Sequence, residues 1–144
     1  MGKKEEVKKM LLCPCGSKKN YAYCCRPYHD GKLPESALLL MKSRYSAYAR
    51  NLPEYIISTT HPENPHRNPN QDNWKRSIVA FSEGTEFERL EVLDFQERGN
   101  KATVTFTAYL LQDGKNASFT EKSFFEKIGE RWLYQSGEVQ LGNT

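Results

Sequence analysis

All four cysteines of this 144-residue chain fall between positions 13 and 25, in the run Cys13-Pro14-Cys15-Gly16-Ser17-Lys18-Lys19-Asn20-Tyr21-Ala22-Tyr23-Cys24-Cys25. Whatever links these sulfurs closes only a short local loop, so it serves a small N-terminal knuckle and leaves the remaining chain to fold by burial. The run is rich in Cys, Pro, Gly and Tyr and has no apolar periodicity long enough for a core of its own. Something other than hydrophobic burial must order it. Two close pairs of soft donors separated by a short loop can surround one ion tetrahedrally, with zinc–sulfur distances near ~2.3 Å. Gly16 gives the backbone freedom to turn, so the amides after Cys15 are expected to point at a sulfur and support the ligands.

Other readings of the cysteines fit less well. Four buried free thiols have no reason to cluster this tightly. A disulfide would strain a bridge between the adjacent Cys24 and Cys25, and no C-x-x-C spacing is present. Iron also accepts sulfur-only ligation. The expected ligands are therefore Cys13, Cys15, Cys24 and Cys25, and the expected metal is Zn2+. With four protein ligands no coordination position stays open for water, so the ion is expected to be structural.

Neither an apolar run of membrane-spanning length nor the apolar stretch of a secretory signal occurs, and the expected location is cytoplasmic, where thiolates bind metal in preference to forming disulfides. Met1-Gly2 does not complete a myristoylation motif, because Glu6 stands where Ser or Thr is needed. The net charge of +3 is uneven: residues 1–33 hold 8 Lys/Arg against 3 Asp/Glu, whereas residues 34–144 hold 13 against 15. Four thiolates and one dication add negative charge to the head, so Lys18, Lys19 and Arg26 are expected first as counter-charges. Nucleic acid is not the expected partner.

The segment Lys3 to Leu12 reads as a frayed helix or tail. Pro34-Glu35-Ser36 starts a helix in which Ala37, Leu40, Met41, Tyr45 and Tyr48 recur at three-to-four spacing, giving an amphipathic element that ends near Asn51. Arg44 sits inside its apolar stripe. Pro53 opens a short second helix through Tyr55, Ile56 and Ile57, stopped at His61-Pro62. An irregular stretch with Pro65 and Pro69 follows, and Trp74, Ile78 and Phe81 then space as a third helix closed by Gly84. From Glu86 the period changes to two. Ala102, Val104, Phe106, Ala108 and Leu110 alternate with Thr103, Thr105, Thr107 and Tyr109 in the clearest strand. Arg89 to Gln96 precedes it across Arg98-Gly99-Asn100, Ala117 to Ile128 follows across Asp113-Gly114, and Trp132 to Ser136 follows Gly129-Glu130. Helices first and four antiparallel strands after predict an α+β fold, its helices packed on one face of a curved sheet.

At Cys13, Cys15, Gly16, Ser17, Lys19, Tyr21, Cys24 and Cys25 the sequence resembles the SEC-C zinc motif, named for the metal-binding tail of the translocase motor SecA. It departs from that pattern where a glycine is usual at Lys18 and a lysine is common at Asn20. Further on, Cys25-Arg26-Pro27-Tyr28, the run from Leu40 to Tyr48, Tyr55-Ile56 and Thr60-His61-Pro62 resemble the YchJ-like bacterial family. That resemblance implies a SEC-C segment over residues 1–32 and a nuclear transport factor 2-like domain, a cone of helices against a bent sheet, over residues 33–144. It brings no established activity with it.

The resemblance to the SecA tail implies an adaptor that binds a protein partner, chaperone- or ribosome-related, through exposed Lys18, Lys19, Tyr21 and Arg26. The alternative is an enzyme with a pocket in the cone. For it the candidate groups are Arg44, Tyr45, Tyr48, His61 and Trp74, with Arg44 and His61 acting on a small acidic substrate. An arginine on an apolar helix face needs a partner or a ligand anion. A histidine before proline at a helix end is a candidate base, yet more commonly a cap. Paired carboxylates, a nucleophile elbow and a phosphate loop are all missing.

Overall fold

The computed structural model describes residues 11–140; the expected helix or tail from Lys3 lies almost wholly outside them. The knuckle holds a 3-10 turn at Tyr21–Tyr23, capped by the Asn20 side chain, and a short helix α1 at Arg26–His29. Three longer helices follow: α2 at Ala37–Ala49, α3 at Pro53–Ser58 and α4 at Gln71–Glu83. The strands are β1 at Glu86–Arg98, β2 at Lys101–Gln112, β3 at Lys115–Asn116, β4 at Phe119–Ile128 and β5 at Arg131–Gln140.

Local chemistry sets these boundaries. Ser36 caps α2 by accepting from the Leu39 amide at 3.1 Å, and Asn70 caps α4 by accepting from the Asn73 amide. This cap starts α4 three residues before Trp74, earlier than apolar spacing alone locates it. Asp113 and Gly114 both have positive φ, as the tight hairpin turn demands. The strand expected from Ala117 begins instead at Phe119, and a separate short strand precedes it. The Leu110 amide donates to the Ser118 hydroxyl at 2.9 Å, so a side chain replaces a backbone rung and leaves β3 as a separate two-residue strand on β2.

The sheet is antiparallel in the order β1-β2-β4-β5. Register shifts in β1 and between β4 and β5 bend it, as extra residues on one strand do. Its concave face carries Ala102, Val104, Phe106, Ala108 and Leu110 from β2 with Phe125 and Trp132, packed on Ala37, Leu40, Met41 and Tyr45 of α2. Burying a side chain such as Leu40 or Phe125 contributes about 1.5–3 kcal/mol, and this layer is the main core.

Helix α2 departs from the amphipathic expectation. Ser43, Ser46 and Ala47, on the side away from the sheet, are as buried as Leu40. The reason is a second layer: α3 and the knuckle cover that side, so the helix is enclosed between the cone and the cysteine-bearing segment. The proline-containing loop is also held, because Thr60 bridges to Tyr134 of β5 and the Asn64 side chain donates to the Gln135 carbonyl at 2.9 Å.

Candidate functional site

The knuckle brings its four sulfurs together. The Sγ atoms of Cys13, Cys15, Cys24 and Cys25 all lie within 4.8 Å of one another, and three of the four residues are buried. A tetrahedron of thiolates with ~2.3 Å bonds has edges of roughly 3.8 Å, and the Cys15–Cys24 separation is 3.6 Å. That distance is far beyond a disulfide bond, and all four cysteines are free. The donor set therefore fits a single sulfur-bound metal ion.

The support around the sulfurs combines a backbone bond from Cys15 to Cys13 with side-chain hydroxyls. The Gly16 amide donates to the Cys13 carbonyl at 3.2 Å. Two hydroxyls lie near sulfur: Ser17 Oγ 3.0 Å from Cys24 Sγ, and Ser46 Oγ of α2 3.4 Å from Cys13 Sγ. Lys18 adopts a left-handed conformation with φ of +67°, which accounts for the glycine usual at that place in the motif.

Without a cation, the thiols of Cys13, Cys15 and Cys25 cannot ionise independently. Hydrogen bonds from Cys15 and then Cys25 hold the Cys13 thiol far below its ordinary range. The same bonds, Cys13 first, push Cys15 up to about 11 and raise Cys25 well beyond its usual value, with burial adding to both. A divalent ion reverses this, stabilising all four thiolates at once.

The knuckle is fixed to the body through His29 and Tyr21. His29 Nε2 lies 2.8 Å from the Ser43 carbonyl, which can only accept, so Nε2 carries the proton and Nδ1 accepts from the Tyr21 hydroxyl at 2.6 Å. Burial lowers the His29 pKa. The His29 ring packs edge-on against Tyr55, and the Arg50 guanidinium covers the Tyr21 ring at 3.9 Å. Tyr21 is thus buried and engaged, which corrects its expected place on an exposed partner surface. Lys18, Lys19 and Arg26 are exposed, Arg26 facing Asp30 at 3.5 Å. The most exposed aromatic of the knuckle is Tyr23, at 84%.

A second feature lies inside the cone. A cavity of about 520 Å³ runs between the sheet and helices α2 and α4. Its walls are apolar: Met41, Ile78, Phe81, Phe87, Phe106 and Phe119, with Tyr45, Tyr48 and Trp74. The exposed lining residues His66 and Ser77 mark its mouth. One end is polar and carries Arg44, Glu121, Ser123 and Tyr134.

Arg44 is held from behind. Its Nη1 donates to the Ile56 carbonyl and to the hydroxyls of Thr59 and Thr60, at 3.1, 2.7 and 3.3 Å, and its guanidinium stacks 4.5 Å from the Tyr134 ring centre. Glu121 accepts from the Ser123 and Tyr134 hydroxyls, both on Oε2. Arg44 forms no ion pair among the described residues. Gly137 makes room for this cluster, since a Cβ there would collide with both Glu121 and the Tyr134 hydroxyl.

Arg44, Tyr45, Tyr48 and Trp74 line the cavity and His61 does not. The cavity that was expected to touch both Arg44 and His61 is thereby corrected. His61 follows the Thr60–Tyr134 bridge, which carries it past the cone to the far end of β4. There its Nδ1 accepts from the Glu63 amide and its Nε2 donates to Glu126 at 2.7 Å. It fastens loop to sheet. Glu121 and Ser123 escaped sequence reasoning although a signal existed: they precede Phe125 at period two, which puts a carboxylate on the core face of β4.

Among the described residues no helix is long and apolar enough to cross a membrane. Residues 11–27 match the family model of the SEC-C motif, and residues 36–137 match that of the YchJ middle NTF2-like domain. A UPF0225 protein of Serratia proteamaculans is 35% identical over 132 residues, which cover 88% of this chain and 82% of that protein. Among solved structures, a SEC-C motif containing protein from Rhodopseudomonas palustris is 36% identical with a TM-score of 0.75, over 88% of this chain and 96% of that one. A second SEC-C motif containing protein, from Psychrobacter arcticus, is 28% identical with the same TM-score, over 96% of this chain and 88% of its own.

Proposed function

The chain belongs to the YchJ, or UPF0225, family, joining a SEC-C knuckle to an NTF2-like cone, and on that premise we propose that it is a zinc-braced binding protein whose cone takes up a small, mostly apolar molecule. The observation that carries the reading is the 520 Å³ cavity with one built polar end. Its size and its apolar lining with a few convergent polar groups are those of small-molecule sites. The metal works at a distance: Cys13, Cys15, Cys24 and Cys25 hold zinc, the zinc holds the knuckle, and the knuckle covers the outer face of the helix that carries Arg44.

Metal analysis of the purified chain should give one zinc per molecule. Titration with naphthalene, followed by NMR, should show saturable 1:1 binding that Ala108→Phe abolishes by filling the cavity, with circular dichroism unchanged. Naphthalene binding equally to the filled variant would reject the reading.

A second reading, the adaptor, is supported by Tyr23, which stands out of the knuckle beside exposed Lys18, Lys19 and Arg26. Such a surface suits an acidic protein partner, chaperone- or ribosome-related if the likeness to the SecA tail extends to function. The triple variant Lys18→Glu, Lys19→Glu, Arg26→Glu should lose every captured partner; an unchanged set of captured proteins removes the reading.

A further inference from the structure

We infer that the polar end of the cone selects a neutral ligand that presents a carbonyl oxygen to Arg44 and an adjacent N–H or O–H to Glu121, in preference to an acid or an amine of the same shape. This deepens the small-molecule reading and rests on it.

Arg44 and Glu121 are the two charged side chains of opposite sign that line the cavity. They stand on either side of Tyr134, which stacks under the guanidinium and donates to the carboxylate. Each is anchored on one side only. Arg44 spends Nη1 on Ile56, Thr59 and Thr60, and among the described residues Nε and Nη2 have no hydrogen-bond partner. Glu121 spends Oε2 on Ser123 and Tyr134, and Oε1 has none. The cavity therefore contains a donor and an acceptor that are fixed in place and unpaired with each other. Groups held in this way lose little freedom when a ligand arrives.

Charge then decides the class. The end is balanced, one positive group against one negative, in an apolar surround where an unpaired charge is costly. A carboxylate ligand would satisfy Arg44 but face Glu121, and an ammonium would satisfy Glu121 but face Arg44. A neutral molecule with acceptor and donor on neighbouring atoms satisfies both. This replaces the small acidic substrate expected for Arg44 and His61, because that expectation took no account of Glu121. The aromatic walls, with Phe81, Phe106 and Trp74, suit a flat apolar body.

The test uses the full zinc-loaded chain and four probes of one bicyclic shape: 2-quinolone, 2-naphthoate, 2-naphthylmethylammonium and naphthalene. By NMR titration or calorimetry, 2-quinolone should bind about tenfold or more tightly than each of the others, as expected where a buried donor and acceptor are left unpaired by the wrong ligand. Glu121→Gln keeps the acceptor for Ser123 and Tyr134 but removes the negative charge. It should weaken 2-quinolone by about tenfold and strengthen 2-naphthoate, reversing their order. An amide fingerprint matching the parent chain confirms that the variant folds. Equal affinities for all four probes, or an order unmoved by Glu121→Gln, would overturn the inference while leaving the cavity a binding site. Binding of none of the four would overturn the small-molecule reading as well.

Discussion

Removal of the proposed zinc ion should disorder the knuckle and leave the cone folded but weaker, and the size of the loss can be worked from the contacts. Ordering the seventeen residues from Cys13 to His29 costs roughly 1–2 kcal/mol each. What they gain from the body is small. The His29–Ser43 hydrogen bond contributes about 1 kcal/mol, the edge-on packing of His29 on Tyr55 about 0.5–1.5 kcal/mol, and Arg50 over Tyr21 about 0.5–1 kcal/mol at an exposed arginine. Docking alone cannot hold the segment, whereas binding of a structural zinc ion supplies roughly 10–16 kcal/mol. A strong chelator, or Cys24→Ser with Cys25→Ser, should therefore abolish amide protection across the knuckle. The body should lose the docking contribution, about 2–3.5 kcal/mol, which for a domain of its size lowers Tm by on the order of 10 °C. Hydrogen exchange read by mass spectrometry separates the two effects, since amides of β2 and β4 should stay protected. Protected amides between Cys13 and Cys25 in the metal-free chain would refute the argument, and so would concurrent unfolding of the cone.

Chelation should also weaken binding of 2-quinolone several-fold, because the helix carrying Arg44 loses its outer support; an unchanged affinity would separate metal from cavity. Lys18→Gly should stabilise the zinc-loaded chain by about 0.5–1 kcal/mol by relieving a left-handed residue, less the added freedom of the unfolded chain, and a lowered Tm would contradict the assignment of strain. Gly137→Ala should displace Glu121 and Tyr134 at a cost of about 1–3 kcal/mol and abolish 2-quinolone binding; retention of both stability and binding would show that the recess is not needed. The Glu126 carboxyl is held below its ordinary 4.5, first by the Lys101 ammonium and then by His61. A carboxyl depressed in the folded chain adds stability above its unfolded pKa and loses it as pH falls through the folded value. Resistance to urea should thus decline as pH drops below about 4.5, and Lys101→Ala should move the Glu126 midpoint, followed by carboxyl NMR, upward. A parent midpoint at or above 4.5 would rule this out.

The elements with a strong local signature were legible in the sequence. Ser36, Pro53 and Gly84 marked helix boundaries, the alternation of β2 marked its buried face, and four crowded cysteines marked a metal site. These features depend on residues that are neighbours in sequence. What stayed hidden depends on residues that meet only in three dimensions. Nothing local in Ser43 or Ser46 announces that this face of α2 will be covered, because the cover comes from the cysteine knuckle and α3. Likewise Tyr21 reads as a surface aromatic until His29 and Arg50 close around it. The same limit explains the misplacement of His61, whose partner Glu126 lies 65 residues away, and the omission of Glu121, which gains meaning only opposite Arg44.

Helix α2 is where these separate parts become one object. Its periodicity serves two surfaces at once: Leu40, Met41, Arg44 and Tyr45 face the cone, while Ser46 meets Cys13 of the knuckle and Ser43 gives its carbonyl to His29 and its hydroxyl to Tyr55 of α3. Small hydroxyl side chains on the second face allow close approach of the cysteine segment, which larger apolar residues would hold away. A knuckle appended for its own sake would need no such face, and the helix could have kept a charged outer side. The burial of Ser43 and Ser46 to the level of Leu40 therefore ties the cysteine cluster to the geometry of Arg44, and through Arg44 to the cavity of the cone.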